Sequence, residues 1–419
     1  MILRARVVLP VSRAPIDDGA IRLSGNRILA VGRYADLSSQ ERSGVVDLGE
    51  TMVLPGLVNA HCHLDYTDMG GRISPRKSFT EWIKAIVALK AEWSYADFAQ
   101  SWLNGARMLL HNGVTSVADI ETVPELLPEM WQATPLRVVS FREILGLRSR
   151  FAVKELVRSA VAEWEALPGQ RGRVGLSPHA PYTTSSELLE LSAHATAERN
   201  WPLTTHVSES DEEFDMFMSA RGPLYDWLKS QRDMSDCGLG SPVQYLQRLQ
   251  YLSPRLLAVH VNYLGPGDSA ALGTHGVHVV HCPRSHAYFT HQPFPRAELA
   301  RAGVNLCLGT DSLASVLKAN AQPLELNLFA EMSALASAAP DLPPAEIIRM
   351  ATINGAAALG RAGDFGELSP GSFADLIVLP CAANSASAYE AVVHHPGAVL
   401  GSMIDGCWAR DPALPPTRA

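Results

Sequence analysis

Two histidines separated by a single residue, His61 and His63, follow an apolar run that begins at Met52. In an extended strand, residues two apart point to the same side, so both imidazoles could reach one metal ion. Histidine pairs also occur by chance and on hydrated surfaces, so the spacing alone does not establish a metal site. The other histidines and carboxylates of the chain decide between the two interpretations.

Further histidines and carboxylates stand where later apolar runs end, and they are His179, His206, Glu209, His260, His281 and Asp311. Imidazole nitrogen and carboxylate oxygen are the ligands that zinc and related divalent metals prefer. Each residue also has a structural explanation, since His260 or His281 could simply be hydrogen-bonded and Asp311 could cap a helix. Their joint placement on successive runs favours a metal-dependent site.

Short apolar runs alternate with amphipathic stretches from about residue 52 to 360. The predicted strands are Val53–His61, Val114–Ile120, Leu136–Glu143, Arg173–His179, Leu203–Val207, Leu256–Val261, Val277–Cys282 and Val304–Thr310. The predicted helices include Phe79–Trp93, Phe98–Leu110, Ala152–Leu167, Ser185–Arg199 and Ala297–Ala302. This alternation predicts a closed parallel (β/α)8 barrel of the TIM type, in which chemistry lies at the carboxyl ends of the strands. An open, doubly wound sheet is the alternative, but no glycine-rich phosphate-binding motif follows an early strand.

The two ends of the chain have alternating, strand-like patterns instead, with a hairpin turn at Gly25-Asn26. We therefore expect residues 1–51 and 366–419 to form one small β-sandwich domain, and residues 52–365 to form the barrel. Residues 211–252 interrupt the barrel pattern after its fifth strand. We expect this insertion to act as a lid or to contact substrate.

The composition is that of an ordinary soluble globular protein, with 419 residues of which 47% are hydrophobic. The formal net charge of −8 and the absence of a basic cluster argue against nucleic acid as a partner. Six scattered cysteines do not form a disulfide framework. Arginines at positions 4 and 6 interrupt the apolar N-terminus, so no signal peptide is expected, and no apolar run approaches the ~20 residues of a membrane span. We expect a cytoplasmic protein without a membrane partner.

Five motifs, PGLVNAHCHL, HVSE, AVHV, VHCPRSH and LGTDS, together resemble those of the amidohydrolase superfamily. More narrowly, they are similar to the branch that holds deaminases of adenosine derivatives, guanine and cytosine, and the triazine hydrolases. The resemblance covers nearly the whole chain. It implies four metal ligands, His61, His63, His206 and Asp311, and one divalent ion, zinc or in some members iron. Residues 175–179 contain no lysine that could bridge two metals, so we expect a mononuclear site.

The same resemblance implies a catalytic set of Glu209, His260 and Asp311. Water activated by the metal would attack an amidine-like carbon as hydroxide, while Asp311 and His260 accept its proton. Glu209 would protonate the ring nitrogen and then assist the departing amine. In the alternative interpretation, Glu209 is a solvated glutamate at the start of a helix. We predict a hydrolytic deaminase that releases ammonia from an adenine-like ring of a nucleoside derivative.

Candidate substrate-binding residues follow several strands. His179 matches a position that contacts substrate in nucleoside-type deaminases. Trp82 could lie over a flat ring, although a core tryptophan on an amphipathic helix explains it equally well. Glu143 could hydrogen-bond substrate, or it could form an ion pair together with Arg142. Ser312, directly after Asp311, is a further candidate.

The segment from Pro283 to His286 departs from the commoner family pattern, which has asparagine in place of His286. Both Arg284 and His286 are candidate substrate contacts. The planar guanidinium of Arg284 suits a substrate carboxylate, but it could belong to an ordinary surface arginine. The turn at residues 283–285, together with residues 63–66 and 206–210, resembles the corresponding segments of aminodeoxyfutalosine deaminases, whose substrate carries a benzoate.

Several functions stay open at this point. Methylthioadenosine and adenosylhomocysteine are alternative nucleoside substrates. Guanine, cytosine, a triazine that loses chloride or an amine, and a cyclic amide are substrates of other classes, although Glu209 favours an amine as the leaving group. An inactive scaffold is a further alternative, but such proteins typically lose metal ligands, and here the set is complete. The expected partner is a small heterocyclic substrate, and the resemblance also suggests a homodimer.

Overall fold

The computed structural model describes residues 1–42, 44–75, 78–147, 152–167, 173–318, 323–382 and 384–412. Its strands are β1 (Ile2–Val8), β2 (Ile16–Ser24), β3 (Arg27–Arg33), β4 (Val45–Asp47), β5 (Thr51–Pro55), β6 (Leu57–Cys62), β7 (Val114–Glu121), β8 (Arg137–Ile144), β9 (Val174–Pro178), β10 (Leu203–Val207), β11 (Leu256–His260), β12 (His278–His281), β13 (Asn305–Leu308), β14 (Leu376–Pro380), β15 (Gly401–Ile404) and β16 (Cys407–Arg410). Its helices are α1 (Ser39–Arg42), α2 (Phe79–Lys90), α3 (Tyr95–His111), α4 (Leu127–Ala133), α5 (Val153–Glu165), α6 (Ser186–Arg199), α7 (Asp211–Ser219), α8 (Pro223–Leu228), α9 (Pro242–Arg248), α10 (Asp268–Thr274), α11 (Pro283–Tyr288), α12 (Arg296–Arg301), α13 (Leu328–Ala338), α14 (Pro344–Met350), α15 (Ile353–Ala358) and α16 (Ala388–Val393).

Strands β6 to β13 form one sheet in chain order, and each neighbouring pair is parallel. The sheet closes on itself where Cys62 pairs with Asp311 and where the amide of Thr310 donates to the carbonyl oxygen of His61 at 3.0 Å. The structure therefore confirms the predicted (β/α)8 barrel. The open, doubly wound alternative is wrong, because an open sheet does not join its first strand to its last.

Alternate residues of the barrel strands point into the barrel or toward the helices around it. Five barrel strands contribute to one buried apolar cluster, which includes Val58, Ala118, Phe141, Leu257 and Val280. Helix α15 contributes Ala356 and Ala358 to the same cluster. Because these side chains fill the interior, polar side chains are left for the carboxyl ends of the strands, where TIM barrels build their active sites.

The second sheet combines strands from both ends of the chain in the order β16-β15-β14-β5-β1-β2-β3, with β4 paired to β1. One predicted strand is split between the two sheets. Within Val53–His61, the first residues belong to β5, which pairs with β14, whereas β6 starts the barrel. Gly56 lies between the two strands, and a Cβ there would stand 2.0 Å from Oγ1 of Thr115. Close packing at this point requires glycine. The prediction of one strand over Val53–His61 is wrong, because this segment contains parts of two strands in two sheets.

The insertion at 211–252 folds into α7, α8 and α9. Buried Phe217, Leu224 and Leu246 attach these helices to the hydrophobic core. The insertion is thus packed against the barrel, and it follows the carboxyl end of β10. Among the described residues, no helix has both the length and the apolar character that crossing a membrane requires.

Candidate metal centre and active site

Five of the predicted residues meet at the carboxyl end of the barrel. His61 ends β6, and the centroid of its ring lies 5.0 Å from those of both His63 and His206. Asp311 follows β13, and its Oδ1 lies 3.6 Å from Nε2 of His61 and 3.8 Å from Nε2 of His63. His260 ends β11, with its ring 5.5 Å from that of His206. All five are buried.

The donor atoms of this cluster fit a divalent metal ion. Both ring nitrogens of His61, Nδ1 of His63 and Nε2 of His260 are buried without a hydrogen-bond partner in the described part of the chain. Buried polar atoms without partners are unfavourable, and coordination of one ion would satisfy one nitrogen of His61 and Nε2 of His260. The candidate ligand atoms lie within 4.8 Å of one another in three overlapping sets, namely His61, His206 and His260; His61, His63 and Asp311; and Glu209, His260 and Asp311. His260, predicted to act on a proton, is therefore also close enough to serve as a ligand.

The protonation states in the cluster suit metal binding. Burial lowers the pKa of His63 well below its ordinary value and that of His206 to about 4. Burial by itself would raise the pKa of Asp311, but His61, His260 and His63 hold it well below the ordinary value. Neutral imidazoles and an ionised carboxylate are the forms that coordinate metals. The shifted pKa values of His63, His206 and Asp311 therefore favour the forms that could coordinate a cation.

Neighbouring groups fix the orientation of the ligands. The carbonyl oxygen of His179 lies 2.9 Å from Nδ1 of His206, which therefore carries the hydrogen and leaves Nε2 free to face the cluster. Asp311 accepts hydrogen bonds at Oδ2 from Ser285 at 2.7 Å and from Ser315 at 3.0 Å, which leaves Oδ1 toward the histidines. Sequence reasoning missed both serines, since nothing in the pattern relates Ser285 to a residue on another strand.

Close packing and unusual backbone conformations mark the same place. A Cβ on Gly309 would lie 2.8 Å from the carbonyl oxygen of His61 and 2.9 Å from its Cβ, so only glycine lets the two strands approach. His260 has φ +74° and Asp311 has φ +53°, a region that residues other than glycine rarely adopt. Such strain is concentrated at functional sites, where the surrounding structure maintains it.

Glu209 lies beside the cluster, with Oε1 3.5 Å from Nε2 of His260. Only 6% of the residue is exposed, so the alternative of a solvated glutamate is wrong. Burial, and then the charge of Asp311, raise the pKa of Glu209 well above its ordinary value. A buried carboxyl group with a raised pKa is suited to act as a general acid.

A cavity of about 400 Å³ opens from the cluster. Besides His63, His206, Glu209 and Asp311, it is lined by Tyr66, Trp82, Ile83, Ile86, Val87, Lys90, Glu143, Leu145, Leu147, His179, Thr183, Trp227, Gln231 and Ser312. Mostly apolar walls with a few polar groups are typical of small-molecule sites. Four predicted substrate residues, Trp82, Glu143, His179 and Ser312, thus lie at the cavity. Sequence reasoning missed Tyr66, Lys90, Trp227 and Gln231, although the last two belong to the insertion for which a substrate contact was expected.

The neighbours Arg142 and Glu143 have different surroundings. Nε of Arg142 forms an ion pair with Glu163 at 3.1 Å, so the ion-pair explanation holds for the arginine. Glu143 is buried in the wall of the cavity. Of the two residues, Glu143 is the one placed to meet a ligand.

Arg284 and His286 do not line the cavity. The guanidinium of Arg284 contacts the buried carboxylate of Glu331, with Nε 2.5 Å from Oε1, and also donates to the carbonyl oxygen of Glu325. Nδ1 of His286 lies 3.0 Å from Oδ1 of Asn262. The prediction that both residues contact substrate therefore does not agree with their positions. Helix α11 begins directly after β12 and directs the two side chains to other elements.

His281 likewise stays outside the metal cluster. Its ring stacks on Phe294 with centroids 3.9 Å apart and lies 5.3 Å from the ring of His286. It is a buried packing residue, and its Nδ1 has no hydrogen-bond partner among the described residues, so this nitrogen does not make the hydrogen bond considered for it.

The sequence model of the amidohydrolase family matches residues 52–408. The chain is 32% identical over 381 residues to a 5-methylthioadenosine/S-adenosylhomocysteine deaminase of Syntrophobacter fumaroxidans, covering 87% of this chain and 80% of the relative. It is 29% identical over 353 residues to an aminodeoxyfutalosine deaminase of Deinococcus radiodurans, covering 82% of this chain and 81% of the relative.

Among solved structures, an adenosine deaminase from Xanthomonas campestris with bound zinc superimposes with a TM-score of 0.81. The match has 24% sequence identity and covers 98% of this chain and 92% of the other. At this identity, the likeness establishes the shared fold.

Proposed function

Because the chain belongs to the amidohydrolase family, we propose that it is a metal-dependent aminohydrolase that releases ammonia from the adenine ring of a nucleoside derivative. As a member of this family, the chain is a hydrolase that acts on carbon–nitrogen bonds in cyclic amidines. The identities of its substrate and of its metal are what we propose here. The relatives support an adenine nucleoside, since they include deaminases named for methylthioadenosine and adenosylhomocysteine, for aminodeoxyfutalosine and for 5′-deoxyadenosine. The observation that carries the proposal is buried Glu209 beside the ligand cluster, at one end of the cavity.

We propose zinc as the metal, held by His61, His63, His206 and Asp311 with His260 at the open side. Imidazole nitrogen and carboxylate oxygen are donors that catalytic zinc uses, and zinc can expand to five ligands when water or substrate binds. The zinc bound to the Xanthomonas campestris enzyme is in line with this choice. When bound, a divalent ion supplies Lewis acidity, which lowers the pKa of water from ~16 toward ~7.

The side chains of the chain would move the protons of the reaction. Glu209, protonated in the free site, gives its proton to the ring nitrogen beside the attacked carbon. Asp311, supported by His260, takes a proton from the attacking water and later gives it to the amino group, which leaves as ammonia. Glu209 then recovers a proton from the hydroxyl group on the same carbon as the carbonyl forms. Water and substrate thus yield ammonia and the oxo product, with both carboxyl groups restored.

The walls of the cavity suit a flat heterocycle with a polar substituent. Trp82 and Trp227 provide apolar faces for a ring. His179 contacts Thr183 through Nδ1 at 2.8 Å, so its Nε2 is available to a ligand. Glu143 and Lys90 offer charged groups for the polar part of a nucleoside. The volume of about 400 Å³ lies in the range typical of small-molecule sites.

The test is an ammonia-release assay on the purified, zinc-loaded protein. The compounds are adenosine, 5′-deoxyadenosine, methylthioadenosine, adenosylhomocysteine, aminodeoxyfutalosine, guanine, cytosine and melamine. We expect turnover with one or more adenine nucleosides and none in the His206→Ala variant. Turnover of guanine, cytosine or melamine alone would refute the nucleoside assignment and keep the hydrolase, whereas inertness toward all of them would refute the proposed activity.

A further inference from the structure

The backbone of Glu209 is held by two buried side chains. Its amide donates to Oε2 of Glu213 at 2.8 Å, and its carbonyl oxygen accepts from Nδ2 of Asn262 at 2.8 Å. Glu209 lies between β10 and α7, where it has no strand or helix ladder of its own, and the preceding Ser208 has φ +50°. These two side chains therefore determine the path of the main chain at the proposed general acid.

Asn262 is itself fixed in place. Its main-chain amide donates to the carbonyl oxygen of Ser208 at 3.0 Å, and its side-chain oxygen Oδ1 lies 3.0 Å from Nδ1 of His286. The carbonyl oxygen of Glu209 can only accept, so the NH₂ group of Asn262 must face it and Oδ1 must face His286. His286 must then carry its hydrogen on Nδ1. The hydrogen bonds run in one direction, from His286 to Asn262 to Glu209.

This chain of bonds ends at a residue whose position matters for proton transfer. Oε1 of Glu209 lies 3.5 Å from His260, and a proton donor must come within about 2.6–3.2 Å of the atom that it protonates. A displacement of about 1 Å can lower a rate about 100-fold. Neither Asn262 nor His286 lines the cavity, so neither would contact substrate.

We propose that Asn262 is a positioning residue that holds Glu209 in its proton-transfer geometry, and that His286 fixes the orientation of the Asn262 amide. The proposal rests on the proposed function, because it requires Glu209 to be the general acid. His286 replaces the asparagine of the commoner family pattern. The proposal gives this histidine a role that does not involve contact with substrate. An amide or imidazole donor at this position would serve equally, and an apolar side chain would not.

The first test compares Asn262→Ala with Asn354→Ala, using the adenine nucleoside with the highest turnover. Asn354 is the control because its Nδ2 also donates to a main-chain carbonyl oxygen, that of Leu306 in β13, at 2.9 Å and away from the cavity. We expect Asn262→Ala to lower kcat at least tenfold, with KM and zinc content within twofold of wild type, and Asn354→Ala to retain wild-type kcat. Equal effects of the two variants, or loss of zinc from Asn262→Ala, would overturn the proposal.

The second test replaces the donor at position 286. His286→Gln keeps an N–H donor and should retain kcat within threefold, whereas His286→Phe keeps an aromatic ring without a donor and should lower kcat as Asn262→Ala does. Indistinguishable kcat values for these two variants would refute the role of His286. A crystal structure of Asn262→Ala should show the Glu209 carboxyl group displaced from His260; an unmoved carboxyl group would contradict the positioning role without reference to activity.

Glu209→Gln separates a failure of this proposal from a failure of the proposed function. If Glu209→Gln keeps full turnover, the general-acid assignment and the positioning role both fall. If Glu209→Gln loses turnover and Asn262→Ala does not, only the positioning role falls. In the Glu209→Gln background, Asn262→Ala should have less than a twofold further effect on the residual rate, because residues that act as a unit are not additive.

Discussion

The imidazole of His206 is hydrogen-bonded through Nδ1 to the carbonyl oxygen of His179, 2.9 Å away. The bond joins the ends of two neighbouring barrel strands, β9 and β10. A carbonyl oxygen accepts only, so Nδ1 carries the hydrogen and the lone pair of Nε2 points to the other histidines. Main-chain geometry thus sets the tautomer of His206, a proposed metal ligand.

His206→Ala should abolish zinc binding and turnover together, because it removes one of the four proposed ligands of the ion. Zinc per chain, measured by elemental analysis after dialysis, should fall below a tenth of the wild-type value. His194→Ala is the control, since His194 is exposed on α6 and should retain zinc and activity. Turnover by a zinc-free His206→Ala protein would contradict the ligand assignment.

Glu209→Gln should lower kcat by about 10²–10⁴-fold, the usual contribution of general acid–base catalysis. Zinc content and KM should change little, because the amide keeps the size of the carboxyl group. Steady-state kinetics on the zinc-loaded variant provide the measurement, with exposed Glu187→Gln as the control. An unchanged kcat would exclude Glu209 as the proton donor.

Gly309→Ala should weaken metal binding although residue 309 has no ligand atom. The added Cβ would stand 2.8 Å from the carbonyl oxygen of His61, so β6 and its first ligand must shift. We expect the dissociation constant for zinc, measured with a competing chelator, to rise at least tenfold. Gly32→Ala is matched, since its Cβ would meet no atom within 4 Å and should leave zinc affinity unchanged. Equal zinc affinities of the two variants would argue against this dependence.

Arg284→Met should destabilise the fold without changing substrate preference, because it removes the only charged partner described for the fully buried Glu331 carboxylate and leaves the main-chain amide of residue 284 as a donor to it. Removing one member of a buried ion pair costs about 3–5 kcal/mol, and we expect the free energy of unfolding to fall by roughly that amount. Arg158→Ala, from an exposed pair with Glu155, should cost about 1 kcal/mol or less. Urea denaturation measures both values. A selective rise in KM for carboxylate-bearing nucleosides, at unchanged stability, would instead indicate that Arg284 contacts substrate.

Glu213 should make the protein less stable as pH rises. Burial raises the pKa of this carboxyl group from 4.5 to about 8, so between these values the folded chain holds a proton that the unfolded chain has released. The free energy of unfolding therefore loses about 1.4 kcal/mol per pH unit across this window from this one group. The Glu213→Gln variant lacks the effect, so its stability relative to wild type should increase from pH 5 to pH 8. A constant difference across that range in urea denaturation would contradict the raised pKa.

Much of the fold could be predicted from local patterns. Strand β10 begins and ends at the predicted residues, and the other barrel strands lie within a few residues of their predictions. The exception is the run around Gly56, where two consecutive strands enter different sheets. An apolar run indicates that a strand is buried, but not which neighbour it pairs with. The steric contact of Gly56 with Thr115 decided that division, and sequence spacing contains no information on it.

The candidate site divides in the same way. Alternation along a strand and the order of a barrel predicted that the histidines and carboxylates at the strand ends would meet. The resemblance to the amidohydrolase superfamily selected His61, His63, His206 and Asp311 among them as the predicted ligands. The directions of Arg284 and His286 could not be predicted, because each depends on which element lies opposite. Glu331 and Asn262 provide those partners from elsewhere in the chain.

The sequence by itself thus determined the class of fold, the metal-binding residue types and the strands that bear them, since all three follow from local periodicity and chemistry. Only the tertiary structure decided which atoms meet. Closure of β13 on β6 brings Asp311 to His61, the insertion adds Trp227 to the cavity, and Ser285 orients the carboxylate. Contacts between distant segments depend on how the whole barrel closes, and that closure is a property of all the strands together.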